Sequence, residues 1–170
     1  MIRKTFIIAL AMAGIFAASH AQAAEPKLLG TYSDWSAYVF TEGDSKVCYM
    51  ASQPSKAEGN YTRRGEVFAL ITHRPAEGTK NVFSYITGYP YKPGSDATLK
   101  IDSSSFALFT QDETAWAPDA ATDNKIADSL RKGSKMSIKG TSSRGTSTTD
   151  TFSLKGSSAA HDAITKECGV

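Results

Sequence analysis

The chain predicts a mainly β protein, a sandwich or barrel with two short helices, and three observations lead there. Short runs rich in aromatic and β-branched residues recur along the chain, turn residues punctuate them, and only two segments carry helical spacing. An alternating strand–helix pattern, the mark of a βαβ fold, is absent, and there are no internal repeats.

Tyr32 to Thr41 and Lys46 to Ser52 flank the turn-forming Glu42-Gly43-Asp44-Ser45 and read as a hairpin. In its second strand, alternation puts Cys48 and Met50 on one face and Val47, Tyr49 and Ala51 on the other. Gln53 to Arg64 is polar, contains Pro54 and Gly59, and reads as a loop. Val67-Phe68-Ala69-Leu70-Ile71 is apolar on both faces and reads as a central strand. Val82 to Tyr89 alternates until Gly88-Tyr89-Pro90-Tyr91-Lys92-Pro93-Gly94 breaks it. Ala97 to Ile101 and Ser105 to Thr110 are further strands around Asp102-Ser103-Ser104. Met136 with Ile138, and Phe152 with Leu154, mark the inward faces of a last hairpin turning at Ser143-Arg144-Gly145.

Asp123 is the expected cap of a helix bearing Ile126, Ala127 and Leu130, with Gly133 ending it in the left-handed conformation. Ser157 or Ser158 is expected to cap a second helix, in which Ala160, Ile164 and Cys168 share one face.

Arg3 and Lys4 precede the apolar run Phe6 to Phe16, and Ala21-Gln22-Ala23 supplies small residues for cleavage, so residues 1–23 read as a secretory signal peptide and 24–170 as one domain. The run is too short to span a bilayer, and no later segment offers a transmembrane helix. Without a cysteine at the cleavage point, a lipoprotein anchor is not expected. The expected location is periplasmic or secreted, with outer-membrane association left open. The whole chain has 19 basic and 17 acidic residues; removal of Arg3 and Lys4 leaves 17 of each. A neutral domain lacks the positive excess that carries phosphate-backbone affinity, so nucleic acid is not an expected partner. Cys48 and Cys168 are the two cysteines of an exported chain and are expected to be joined, the alternative being two buried thiols.

The residues offer little reactive chemistry. His73 and His161 are the histidines left after processing, neither with a partner at metal-ligand spacing, and no metal or other cofactor is expected. His73 reads as a surface or edge residue and His161 as partly covered. No Gly-x-Ser-x-Gly, phosphate-binding loop or dinucleotide fingerprint occurs, so the chain is read as noncatalytic. Alternation places Asp150 inward with Phe152 and Leu154, where it needs a cation, and Arg144 in the same hairpin is the expected partner. Tyr89 and Tyr91 bracket Pro90 in a loop and Trp116 lies in another; they are the candidate binding surface, against the ordinary alternative that the rings cap the sandwich.

Asp34-Trp35, Lys46-Val47-Cys48-Tyr49, Ser52-Gln53-Pro54, Arg74-Pro75, Gly88-Tyr89, Ala115-Trp116 and above all the block from Thr141 to Gly156 together resemble the invasion-associated locus B (IalB) family. The resemblance implies an immunoglobulin-like β-sandwich, a secreted or envelope-associated protein and no established catalytic residues. The family is named for a member implicated in bacterial entry into host cells, and the expected function is a binding module for a protein partner, with a role in host-cell invasion where the bacterium is host-associated. The alternative is a glycan- or small-ligand-binding module with an envelope housekeeping role. His161 departs from the apolar residue the resemblance leads one to expect, and an additional N-terminal cysteine pair found in many relatives is missing.

Overall fold

The computed structural model describes residues 25–170; the signal-peptide reading of 1–23 lies outside them. Eleven strands form one antiparallel sheet, ordered β1-β2-β3-β5-β6-β9-β8-β7-β10-β11-β4. In chain order these are β1 (Lys27–Tyr32), β2 (Trp35–Glu42), β3 (Ser45–Ser52), β4 (Lys56–Gly59), β5 (Phe68–Arg74), β6 (Thr79–Ile86), β7 (Ala97–Ile101), β8 (Ser104–Gln111), β9 (Thr114–Trp116), β10 (Lys135–Thr141) and β11 (Ser147–Ser153). Helices α1 (Ala120–Lys132) and α2 (Ser157–Cys168) complete the fold.

The sheet doubles over to make the expected sandwich. Strand β8 is the crossing point: Ser104 to Leu108 pair with β7, while Phe109 to Gln111 pair with β9. A strand that serves both halves lets the two inner faces meet without a separate connection. Across one half, Ala37, Met50, Ile71 and Phe83 stand in register and are fully buried. Across the other, Leu99, Ile138 and Asp150 form one inward row and Ile101, Met136 and Phe152 the next. The halves meet where Tyr85 packs edge-on against Phe152, with ring centroids 6.2 Å apart. At one end the Trp35 indole, fully buried, donates to the Ser153 carbonyl at 3.0 Å.

Several expectations require correction. The polar stretch after Gln53 contains β4, which pairs with β11 in a register from Thr148↔Gly59 to Thr151↔Lys56. Its length and its Lys56–Glu58 charges suit a protected edge strand, which lacks the apolar alternation by which inner strands are read. Trp116 lies in β9, not in a loop. Helix α1 begins earlier than expected: Asp119 is the cap, accepting from the Thr122 N–H at 2.7 Å. Asp123 instead turns inward and accepts from the Phe83 N–H at 2.8 Å. Gly133 is extended, with φ −82° and ψ 174°, not left-handed. It is needed for space, because a Cβ there would lie 2.9 Å from both the Leu154 side chain and the Ser129 carbonyl oxygen. Gly156, not a serine, occupies the cap position of α2, while Ser157 donates to the Leu130 carbonyl at 2.6 Å and links the two helices.

Cys48 and Cys168 form the disulfide, tying β3 to the last residue of α2 across a sequence separation of 120. Ala160 and Ile164 on the same helix face are fully buried. Replacing both cysteines by alanine should lower unfolding free energy by about 2 to 5 kcal/mol, because the bridge closes a long loop in the denatured chain. Denaturant titration of oxidised and cysteine-free protein measures this, and equal midpoints would refute it.

Candidate functional site

A concavity with a volume of about 990 Å3 opens between three backbone segments. One wall is the segment Asn60 to Gly65 that follows β4; the second is Gly88-Tyr89-Pro90 after β6; the third is the β10–β11 turn with the start of β11. Backbone contacts set their spacing. Gly65 donates to the Gly88 carbonyl at 2.9 Å, and Ser143 donates to the Pro90 carbonyl at 2.8 Å. Gly88 has φ +71°, and a Cβ there would lie 2.5 Å from the Gly65 carbonyl carbon, so only glycine permits the first two walls to touch.

Arg64 fixes the floor. Its guanidinium donates through Nη1 to Asp150 Oδ1 at 2.7 Å and through Nη2 to Asp150 Oδ2 at 2.5 Å. It also donates through Nε to the Thr87 carbonyl at 2.6 Å and through Nη2 to the Tyr85 hydroxyl at 3.1 Å. Tyr85 in turn donates to Asp150. The side chains of Arg64 and Asp150 are 4% and 0% exposed, so this is a desolvated bidentate pair. Burial opposes the charged guanidinium, but the Asp150 hydrogen bonds, with attraction to Tyr85 and Asp150, hold its pKa above the usual arginine value. Burial followed by the Asp150 charge pushes the Tyr85 hydroxyl up, so it stays a donor.

The expected Arg144–Asp150 pair is therefore corrected: Asp150 is structural, as its inward register required, but its cation comes from Arg64. Arg144 sits in the exposed turn and lines the cleft. A side chain in the turn of a hairpin is poorly placed to reach an acid on its inward face, whereas Arg64, in the segment between β4 and β5, reaches Asp150 together with Tyr85 and Thr87 of the other half.

The aromatic candidates separate into three environments. Tyr89 is half-buried, lines the cleft and shares a 2.7 Å hydrogen bond with Thr148. Tyr91 is 5% exposed and packs edge-on against Tyr89 with centroids 5.6 Å apart, so it supports the wall and offers no free surface. Trp116 is half-buried on the outer sheet face, away from the cleft, in register with Ser84 and Phe109. Tyr61, which the sequence reading passed over, lines the cleft, is 37% exposed, and has the Arg64 guanidinium 5.4 Å from its ring centroid. The same guanidinium lies 5.0 Å from the Tyr89 centroid, so one buried cation orients both cleft rings. The signal was present in the Tyr61-Thr62-Arg63-Arg64-Gly65 run, which places aromatic and cationic groups next to a glycine in an otherwise polar loop.

The histidines lie elsewhere, His161 on α2 and His73 on β5 beneath it, and His73 is buried rather than at the surface. The His73 and His161 rings meet edge to face, with centroids 5.4 Å apart. His73 Nδ1 accepts from the Asn81 N–H at 3.0 Å, which leaves its Nε2–H to donate to Thr165 Oγ1 at 3.2 Å. His161 Nε2 then donates to Asn81 Oδ1 at 2.8 Å, and Thr165 completes the circuit 3.4 Å from His161 Nδ1. Each ring nitrogen has a neutral partner, and no carboxylate orients either ring as a general base requires. No group of three or more His, Cys, Asp or Glu side chains suited to a metal occurs among the described residues. No helix of those residues is long and apolar enough to cross a membrane.

Two consequences can be measured. Arg64→Met strands the Asp150 carboxylate in the core and should cost about 3 to 5 kcal/mol, with much of that recovered in Arg64→Met/Asp150→Leu. Arg144→Ala should stay within about 0.5 kcal/mol of wild type. Chemical denaturation of the three variants decides the assignment, and a larger loss for Arg144→Ala would reverse it. Burial, then the nearby charges of His161 and Lys80, lowers the His73 pKa from 6.5 to about 4. The unfolded chain therefore binds the extra proton first as pH falls, and stability present above about pH 6.5 is lost progressively down to about pH 4. His73→Gln should flatten the slope of melting temperature in that window, at some general loss of stability; an unchanged slope would show that other groups set it.

The crystal structure of invasion associated protein b from Bartonella henselae is similar to this chain, with a TM-score of 0.57 and 16% identity, covering 81% of this chain and 95% of that one. At that identity the likeness is one of fold. No curated protein matches the chain. The sequence model of the Invasion associated locus B (IalB) protein family matches residues 35–165, which takes in β2 to β11, all three cleft walls and most of α2, and the chain belongs to that family.

Proposed function

We propose that the protein is an exported, noncatalytic binding module of the bacterial envelope, and that its ligand occupies the cleft between the Asn60–Gly65 segment, the Gly88–Pro90 segment and the β10–β11 turn. The observation that carries this reading is the way Arg64 is used: a buried cation positions Tyr61 and Tyr89 at an open concavity, and both rings line it. Aromatic faces beside convergent polar groups are the ordinary furniture of a small-ligand site. The histidines and their hydroxyl partner Thr165 contribute nothing to that concavity.

A second reading, a protein partner with a role in host-cell invasion, is favoured by a different surface. Ser36, Ala51, Leu70, Ser84, Trp116 and Phe109 stand in register across the outer face of β2, β3, β5, β6, β9 and β8 and carry no charge. The neighbouring row includes stacked Tyr38 and Tyr49, with centroids 5.0 Å apart, and Phe109 is 45% exposed. An outer sheet face in water is usually polar, and a charge-free aromatic one suits the centre of a protein interface.

One titration separates the two. Amide spectra of isotope-labelled protein are recorded against fractionated envelope extract, for wild type and Tyr61→Ala. The expected result is that one fraction shifts the amides of Asn60–Gly65, Tyr89 and Ser142–Thr148, and that Tyr61→Ala abolishes the effect. Shifts at Tyr38, Leu70 and Trp116 instead would replace the cleft reading with the protein-partner reading, and no shifts at either surface would remove both.

A further inference from the structure

The cleft has a chemical character more specific than its shape. Arg63 and Arg144 both line it and both are exposed, one on each side of the opening. The arginines engaged in ion pairs among the described residues are Arg64, Arg74 and Arg131, so Arg63 and Arg144 keep their charge unopposed. No aspartate or glutamate lines the cleft, and the one acid beneath it, Asp150, is neutralised by Arg64. In a chain whose exported part is balanced in charge, this is a local excess of positive charge at the cleft.

We propose that the cleft binds an acidic oligosaccharide, one carrying carboxylate or sulfate groups; the proposal rests on the cleft being the ligand site. Guanidinium groups present paired N–H donors that match an oxyanion bidentately, and the two free arginines can each meet one. The lining between them is hydroxyl and amide, from Asn60, Thr62, Ser143 and Thr146 among others, which complements ring hydroxyls. Tyr61 and Tyr89 offer faces on which a sugar ring can stack. At about 990 Å3 the concavity lies at the upper end of small-ligand sites and has room for more than one ring. An acidic peptide fits less well. The cleft has no aliphatic side chain apart from Pro90 to anchor one, and the adjoining edge strand β4 carries the Lys56–Glu58 pair, which guards it against strand addition.

The test is calorimetric titration of the purified protein with three probes of similar length: a heparin-derived hexasaccharide, maltohexaose and hexaglutamate. The expected result is binding of the heparin fragment that weakens as salt rises, with the other two probes much weaker. The double variant Arg63→Gln/Arg144→Gln should bind the heparin fragment about tenfold or more weakly, since two charge-assisted contacts are removed. Its melting temperature should match wild type because neither arginine is in an ion pair. Equal affinity for maltohexaose would overturn the requirement for charge while leaving the cleft as the ligand site. Equal affinity for hexaglutamate would overturn the requirement for sugar. Failure of the heparin fragment to bind would sink the proposal outright, and the amide mapping with envelope fractions would then judge the cleft separately.

Discussion

The bidentate pair between Arg64 and Asp150 is the constraint on which the rest of the site depends. Asp150 belongs to the inward row of β11, beside Ile138, where an unpaired carboxylate would be costly. Arg64 reaches it from a segment that is otherwise exposed, and in doing so draws the Asn60–Gly65 wall against the core. The same guanidinium holds the Thr87 carbonyl, three residues before the second wall ends at Pro90. One side chain therefore sets the positions of two walls relative to the strand that begins in the third. A hydrophobic replacement could stabilise such a core equally well. It could not grip Thr87 and orient two tyrosine rings at once, which gives the ionic solution a positional role that an apolar one lacks.

A second, separate tie organises the opposite side of the fold. The disulfide joins β3 to the end of α2, and in the β3–β5 ladder Cys48 stands directly opposite His73. The histidine circuit under α2 thus sits beside the bridge, with Thr165 of the helix and Asn81 of β6 as its other members. Two neutral imidazoles satisfy one another's surroundings through amide and hydroxyl groups, which is how buried polar groups avoid an unpaired donor. This explains how a histidine can stand at position 161, where an apolar residue would otherwise face the core: its polarity is absorbed by Asn81 and Thr165. The arrangement serves packing of α2, and the lowered His73 pKa predicts a fold that weakens in acid.

Much of the architecture was legible because it follows from alternation. The inward faces at Cys48 and Met50, at Met136 and Ile138, and at Phe152 are all buried as the period of two required. The cysteine pairing and the apolar face of α2 followed from count and spacing. Asp150 was legible as an inward acid, but its partner was not, because Arg64 lies 86 residues away and nothing local marks it. Proximity in sequence favoured Arg144, and the turn geometry of the hairpin sends that side chain to solvent. Tyr89 and Tyr91 looked equivalent on either side of Pro90, yet the isolated bridge between Tyr91 and Ser142 turns the second ring inward against Gly140, where a Cβ would lie 2.7 Å from it. Burial of a loop ring depends on what folds against it, and that information is not in the loop.

The division of labour among the arginines bears on how such a cleft can select a ligand. Arg64 is spent on structure, and its charge is cancelled where it lies. Arg63 and Arg144 are exposed at the rim, so they would lose little solvation to the proposed ligand, but water and salt would also weaken what they gain. Rim charges of this kind mainly steer encounter and reject partners of like charge. Lasting affinity for the proposed ligand would have to come from surfaces that become dry, and the candidates in this cleft are the faces of Tyr61 and Tyr89 and the hydroxyl groups between them. Because Arg64 holds both rings, loss of the buried pair should disturb binding as well as stability, whereas loss of a rim arginine should disturb binding alone. A largely buried residue at the floor of the cleft would then govern affinity through the placement of the rings above it.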